Sequence, residues 1–533
     1  MVSENGRQET GGVDEESAQS VTNEHHGEVG EEKFQREPKR PSHWRLLTSH
    51  GLINEEVHSW QYEGSGTELN PYVVTWIEDD PRDPQNFPAP KKWYITAVSA
   101  LTLFIVTLTS SGYTGGIPSM MEQLQISQEL AIAGVSLYVV GFAVGPIFWA
   151  PFSEVAGRQL THLISYFVFA AFNGGVTAAQ NIETILVCRF LAGSFGAAGL
   201  TNAGAIVADM FAPRDRGLAM TFFAAAPFLG PVLGPITSGF IAQAAGRDGW
   251  RWTSALFTVL AVVFWILGMV SVPETYAPVL LSARAKKLSQ ATGKVYRSHF
   301  EVKGTSMTFS DKMKIALTRP WRLLFLEPIV FLLSLYLSII YAILYLLFAA
   351  FPVVYQQTRG WKPGVGGLAF AGVAVGVFAS VVLNFWINNR YQKIKNPTPE
   401  SRLPPAMLGG VAVTTGLFWF SWTNGPSVHW LVSIAASGVF GFGMVLIFLS
   451  INNYLVDGYL LYAASVLAGG TVMRSLLASA FPMFTAYMYR RLGIHWASSI
   501  PAFLSLACAP LPFIFYFYGA RIRKHSWVAT HGA

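Results

Sequence analysis

The sequence predicts an all-α integral membrane protein of twelve transmembrane helices in two six-helix halves, and three observations carry that prediction. Of 533 residues, 52% are hydrophobic and only 13% are charged, outside the usual composition of soluble domains. Twelve apolar stretches follow Trp93, each near the roughly 20 residues that cross about 30 Å of hydrocarbon. A basic connection, 273–321, divides them six and six.

In chain order, residues 1–70 are rich in Glu, Gly, Ser and His and too poor in apolar side chains to offset chain entropy, so they are expected to stay unfolded. Residues 1–92 form an acidic tail and leading segment with 9 basic against 18 acidic side chains. No basic stretch runs into an apolar one there, so no cleaved signal peptide is expected. The spans lie near 93–117, 129–151, 160–180, 183–211, 217–243 and 252–272. After the connection they resume near 322–352, 364–389, 404–423, 427–453, 462–489 and 496–520. The halves are thus 93–272 and 322–520, with a short tail at 521–533.

An even count puts both termini on one side, and basic residues in short loops assign that side to the cytoplasm. Cytoplasmic termini place Arg158, Arg214, Arg216, Arg390, Lys393, Lys395 and Arg402 in inner loops, with Arg521, Arg523 and Lys524 after the last span. Fewer basic residues fall outside: Arg247, Arg251, Arg359, Lys362, Arg490 and Arg491. A soluble connection between two six-helix halves, each with a basic inner loop after its second helix, is the layout of a duplicated transporter.

Several function classes are excluded. The positive charge sits in short segments between apolar runs rather than on one soluble face, which argues against nucleic acid. Cys188 and Cys508 both lie inside apolar runs, and His162, His429 and His495 are spread among different spans. Neither a disulfide framework nor a metal or catalytic cluster can be built from them. No Gly-rich Lys-Ser/Thr nucleotide motif is present, so an ATP-driven pump is not indicated.

The motifs give direction. Pro151-Phe152-Ser153-Glu154-Val155-Ala156-Gly157-Arg158 follows the second span, where glycine permits a tight reversal and an acid and an arginine can pair across a closing gate. Span 5 carries Gly230-Pro231-Val232-Leu233-Gly234-Pro235, with Pro227 before and Gly239 after. Prolines every four residues deprive one helix face of three donors, and the glycines admit a close neighbour. Asn70-Pro71, Pro84-Gln85-Asn86-Phe87-Pro88, Cys188-Arg189-Phe190-Leu191-Ala192-Gly193, Glu327-Pro328, Pro399-Glu400-Ser401-Arg402-Leu403 and Arg474-Ser475 complete the set.

On these residues the chain resembles the major facilitator superfamily, and within it the twelve-span fungal drug:proton antiporters that export drugs, polyamines and secondary metabolites. The resemblance runs from Asn70 to about Lys524. Ser153, Glu154, Gly157 and Arg158 resemble its cytoplasmic gating motif, although Gln159 stands where the family pattern has a second basic residue; Asp209, at the inner end of span 4 and close in topology to Arg158, is expected by its position to form a gate contact rather than to bind cargo. Gly230, Pro231, Gly234, Pro235 and Gly239 resemble its antiporter motif. The resemblance implies a plasma-membrane monomer, without cofactor, that exports a small organic molecule in exchange for protons. Uptake of a polyamine, organic acid or other nutrient through the same fold stays open as the alternative.

Buried polar residues nominate the cargo site and the coupling group. Arg474 falls about 13 residues into span 11, roughly 20 Å from its inner end at 1.5 Å per residue. Glu327, Ser334, Ser338, Tyr341 and Tyr345 share one stripe of span 7. A polar stripe of that length is costly against lipid. The candidate cavity comprises Tyr336, Ser338, Tyr341, Tyr345, Asn202, Asn384, Asn452, Arg474 and Phe481. Each asparagine could equally bond between helices. Glu327, about five residues into span 7, and Arg189, near the outer end of span 4 where snorkelling is easier, are the candidates for proton coupling.

Overall fold

The computed structural model describes residues 41–302, 309–394, 398–459 and 462–523. The first 40 residues of the acidic tail, Lys395 and residues 524–533, including Lys524, lie outside them, as does the side chain of Arg214.

The first half is built from α1 (Ala89–Gly112), α2 (Gln128–Ala156), α3 (Arg158–Ala178), α4 (Ile182–Gly196, resuming as Ala198–Met210), α5 (Pro213–Ala245) and α6 (Gly249–Ser271). The second half holds α7 (Pro328–Phe351), α8 (Phe370–Tyr391), α9 (Pro404–Thr423) and α10 (Trp430–Gly458). Its last two helices share the segment Ala463–Cys508 and part at Gly493, whose φ of 72° no neighbouring helical residue adopts; α11 precedes that glycine, and α12 follows it and closes with Leu511–Arg523. Among the described residues nine segments are long and apolar enough to cross a membrane. Two of these, Asp215–Ser271 and Ala463–Arg523, each contain two helices, and the more polar α3 completes twelve.

Burial follows the solvent. In α1 and α7 most side chains are enclosed, whereas α3, α6, α9 and α12 present Phe167, Val263, Trp422 and Phe517 outward, as rim helices facing hydrocarbon should. Two hydroxyls inside α1 are satisfied by their own helix: Thr107 and Thr109 donate to the carbonyls of Leu103 and Ile105, the local bonding open to Ser and Thr in a helix. The halves meet along two seams, α2 with α11 and α5 with α8. α5 stays continuous through Pro227, Pro231 and Pro235. A Cβ at Gly230 or Gly234 would collide with Thr107 or Ser111 of α1, so these glycines set the α1–α5 distance.

Two expectations are corrected. Residues 322–326 belong to a separate helix, Phe309–Leu326, and Glu327 has extended backbone (φ −106°, ψ 104°). Pro328 begins α7, as suits a residue without an N–H, so Glu327 stands at the threshold of the span rather than five residues within it. Beyond its other end, Pro352–Thr358 adds a wider turn.

The second correction concerns residues 41–70, which are folded. Helices His43–Thr48 and Glu55–Ser59 are capped by the side chains of Ser42 and Asn54. Val57, Tyr62, Val74 and Ile77 pack on Leu281, Ala285 and Leu288 of the connection helix Ala277–Thr292. Strand β1 (Tyr72–Val74) pairs in parallel with β2 (Tyr296–Ser298), Tyr72 opposite Tyr296. A few apolar anchors, spread thinly in sequence, reach a partner more than 200 residues away. The connection is therefore not a free hinge along its length.

Candidate functional site

With an even number of spans, the described chain ends lie at one end of the bundle, termed here the termini end. There Arg158 opens α3 and Asp209 closes α4, their Nε–Oδ2 distance being 3.1 Å. Arg158 Nη1 also donates to Ser153 Oγ at 2.7 Å, and its guanidinium lies 4.4 Å from the Tyr276 ring centroid. Gly157 has φ 93°, and a Cβ there would collide with the Glu274 carboxylate. That carboxylate, supplied from beyond α6, accepts the N–H groups of Arg158 (3.0 Å) and Gln159 (3.1 Å). It thus caps α3 where the helix dipole favours an anion.

The second half repeats this arrangement. Arg402, just before α9, pairs with Asp457 in the last turn of α10 at 2.8 Å and lies 3.4 Å from the Tyr391 ring centroid. Arg523, closing α12, pairs with Glu400 at 2.5 Å. The same helix ends are tied in both halves, so the duplication that sequence similarity leaves unproven is visible in the ion pairs. Glu154 of the proposed gate is exposed and lines a cavity of about 740 Å³ with Tyr276, Glu301, Arg319 and Tyr462. Gln159, the departure from the family pattern, donates to Leu47 O (3.2 Å) and bonds His50 (3.1 Å), turning the α2–α3 loop toward the folded leading segment. Arg82, also in that segment, donates to the Glu274 carbonyl from both terminal nitrogens at 3.2 Å; its burial pushes the guanidinium down to about 10.

A second cavity, about 300 Å³, lies at the opposite end of the α2–α11 seam, between Gln128, Phe348, Gln356 and Pro482. Between the two cavities the halves touch. Ser110 of α1 bonds Tyr345 of α7 at 3.0 Å, and Phe228 of α5 meets Phe448 of α10 edge-on at 4.7 Å. Tyr341 and Tyr345 lie 5.2 Å apart. The Arg474 guanidinium carbon stands 5.1 Å from Tyr341 and 4.9 Å from Phe448.

The other nominated residues separate from this layer. Arg189 does not snorkel: it donates to the carbonyls of Gly134 (3.1 Å), Thr109 (3.0 Å) and Ser110 (2.8 Å) and lies 4.1 Å from the Tyr138 ring centroid, binding α4 to α1 and α2. Tyr336 packs toward Gly410 and α12, on another face of α7. Ser338 donates to Ser334 O of its own helix, as do Asn384 to Ser380 O and Asn452 to Phe448 O. Asn202 donates to Arg158 O at the termini end, and Phe481 packs against Phe484. Glu327 is fully buried and accepts the Tyr459 hydroxyl at 2.9 Å. Gly239 faces the backbone of Pro363 at the α5–α8 seam.

Glu274, Asp457 and Tyr459 escaped sequence reasoning. Glu274 carried a signal, being the one acid between Asp248 and Glu301. Asp457 could have been found as the counterpart of Asp209 at the end of the fourth helix of its half.

Residues 99–482 match the family profile described as Major Facilitator Superfamily. The chain is 54% identical over 492 residues to the MFS-type efflux pump MFS2 of Trichophyton rubrum, covering 91% of this chain and 82% of that protein. It is 51% identical over 504 residues to the multidrug transporter mdrA of Aspergillus fumigatus, with 93% and 82% covered. Against the efflux pump FUBT of Fusarium oxysporum, identity is 46%, with 92% and 83% covered. Among solved structures, the proton:xylose symporter XylE superposes with a TM-score of 0.59 at 15% identity, covering 81% of this chain and 96% of that one, a likeness of fold.

Proposed function

The chain belongs to the Major Facilitator Superfamily, and on that premise we propose that it is a secondary active exporter of small organic molecules, exchanging cargo for protons by rocking its two halves. It is a transporter rather than an enzyme. Relatives about half identical along most of their length are named efflux and multidrug pumps, which supports the direction of transport. The observation that carries the site is the closed layer of Ser110, Tyr345, Phe228, Phe448, Tyr341 and Arg474 between two cavities on the α2–α11 seam. Cargo reaching this layer from one cavity separates the halves there, and closure of the Arg158–Asp209 and Arg402–Asp457 ends commits it to the other side.

In this reading the termini are cytoplasmic, from the excess of basic residues in the inner loops, and the protein works as a monomer in the plasma membrane. Glu327 carries the proton, as a fully buried carboxylate that accepts the Tyr459 hydroxyl at the threshold of α7. Arg189 contributes to coupling only indirectly, by keeping α1, α2 and α4 in register.

Inside-out vesicles with an acidic lumen test the function. They should accumulate an amphiphilic fluorescent cargo in the lumen, and a protonophore should abolish the accumulation. Accumulation in right-side-out vesicles instead, or accumulation indifferent to the protonophore, overturns the reading.

A further inference from the structure

The geometry points to an organic anion as the cargo: a planar, conjugated molecule with one negative charge, its charged end on Arg474 and its ring against Tyr341 and Phe448. This rests on the reading of the central layer as the cargo site and narrows the class of molecule that binds there.

The argument begins from an imbalance of charge. Among the described residues the middle of the bundle contains two arginines, Arg189 and Arg474, and every acid in or beside the spans whose partner is resolved is engaged near a helix end: Asp209 with Arg158, Asp457 with Arg402, Glu400 with Arg523 and Glu327 with Tyr459. The two arginines differ in how they are satisfied. Arg189 places all three guanidinium nitrogens on carbonyls at 2.8–3.1 Å. Arg474 makes one long hydrogen bond, Nη2 to Thr471 Oγ1 at 3.4 Å, and its buried Nε has no partner. No carboxylate pairs with it among the described residues. An intramembrane cation in this condition is costly until an anion arrives, and its planar fork suits two oxygens held in one plane.

The surroundings select the rest of the ligand. Tyr341, Phe448 and Phe228 offer aromatic faces and edges drawn from both halves. A conjugated ring can slide between such groups at little cost in shape. A small inorganic anion would find one cation and no second donor cluster among the described side chains, and a cationic cargo would face two like charges. Because Arg189 is already engaged, one open cation calls for one negative charge. Contributions from α5, α7, α10 and α11 also make binding sensitive to the relative position of the halves, as a carrier requires.

Binding to the full chain in lipid nanodiscs tests this with 1-naphthoate, its neutral amide and the corresponding primary amine, read by intrinsic tryptophan fluorescence. Naphthoate should bind about tenfold or more tightly than the amide, the size expected when a charge-assisted hydrogen bond is gained, and the amine should be weakest. Arg474→Gln should bring naphthoate and amide to within about twofold of each other while amide binding persists, and Arg474→Lys should keep an intermediate preference because it retains charge without the fork. Equal binding of the three probes by the unaltered protein overturns the inference, as does an anion preference that survives Arg474→Gln. Failure of all three to bind, in a preparation that still moves dye in the vesicle assay, also overturns it while leaving the exporter reading intact. Loss of dye movement itself would instead sink the exporter reading.

Discussion

The carboxylate of Glu274 accepts the backbone N–H of Arg158 at 3.0 Å, so a residue from beyond α6 holds the first turn of α3. The same carboxylate accepts Gln159, Thr275 and Tyr276 N–H groups at 3.1, 2.9 and 2.8 Å. One side chain therefore fixes both the start of α3 and the exit of the chain from α6.

Glu274→Gln should destabilise the detergent-solubilised protein by about 1–3 kcal/mol, since the amide NH2 cannot replace the oxygen that accepts the Gln159 N–H and the charge facing the helix dipole is lost. Gly157→Ala should do more harm, because it strains a backbone at φ 93° and drives a methyl group into the carboxylate. Thermal unfolding of both variants checks the order. A Gly157→Ala protein as stable as the parent would show that the turn relaxes without cost.

Arg189→Ala should cost about 3 kcal/mol, because three carbonyls lose their donor and a cavity opens between α1, α2 and α4. Arg189→Lys should recover little, because a point charge cannot span three acceptors. The expected phenotype is less folded protein in the membrane, with unchanged cargo preference in what remains. A normal melting temperature combined with altered cargo preference would move Arg189 from scaffold to site.

Glu327→Gln retains shape and a hydrogen bond to Tyr459 while removing titration. Proton-driven accumulation should be lost and downhill exchange retained, with no response of exchange to external pH. Accumulation at the parental rate that still follows external pH would assign coupling to another group.

Single cysteines near Thr358 and Ser427 should react with an impermeant thiol reagent added to intact cells, and one near Ser401 should be protected. The opposite pattern would invert the topology.

The spans are legible in the sequence because hydrocarbon imposes a length that composition alone reveals. What one sequence does not show is which way a helix face points once its neighbours are chosen. Tyr336 and Tyr341 are five residues apart, about 140° around α7 at 3.6 residues per turn, so one turns toward α9 and α12 while the other reaches Arg474. Asn384 and Asn452 look like site residues by type, yet each is satisfied by a carbonyl of its own helix. Arg474 is legible because a cation within an apolar run needs a reason wherever it points. The partners of residues 41–70 are hidden for another reason: Val57 and Tyr62 acquire meaning only beside Leu281 and Leu288, far along the chain.

The pairing of β1 with β2, together with the buried Asp80–Arg284 ion pair at 2.5 Å, has a consequence for synthesis. Both partners of each pairing lie ahead of α7 in the chain. A nascent polypeptide can thus close its leading segment onto the connection helix, and cap α3 with Glu274, before the ribosome begins the second half, in keeping with domains folding as units during translation. The first six helices would leave the insertion machinery already fastened together at the termini end. The second half then meets a finished surface along the α2–α11 and α5–α8 seams rather than a set of loose helices.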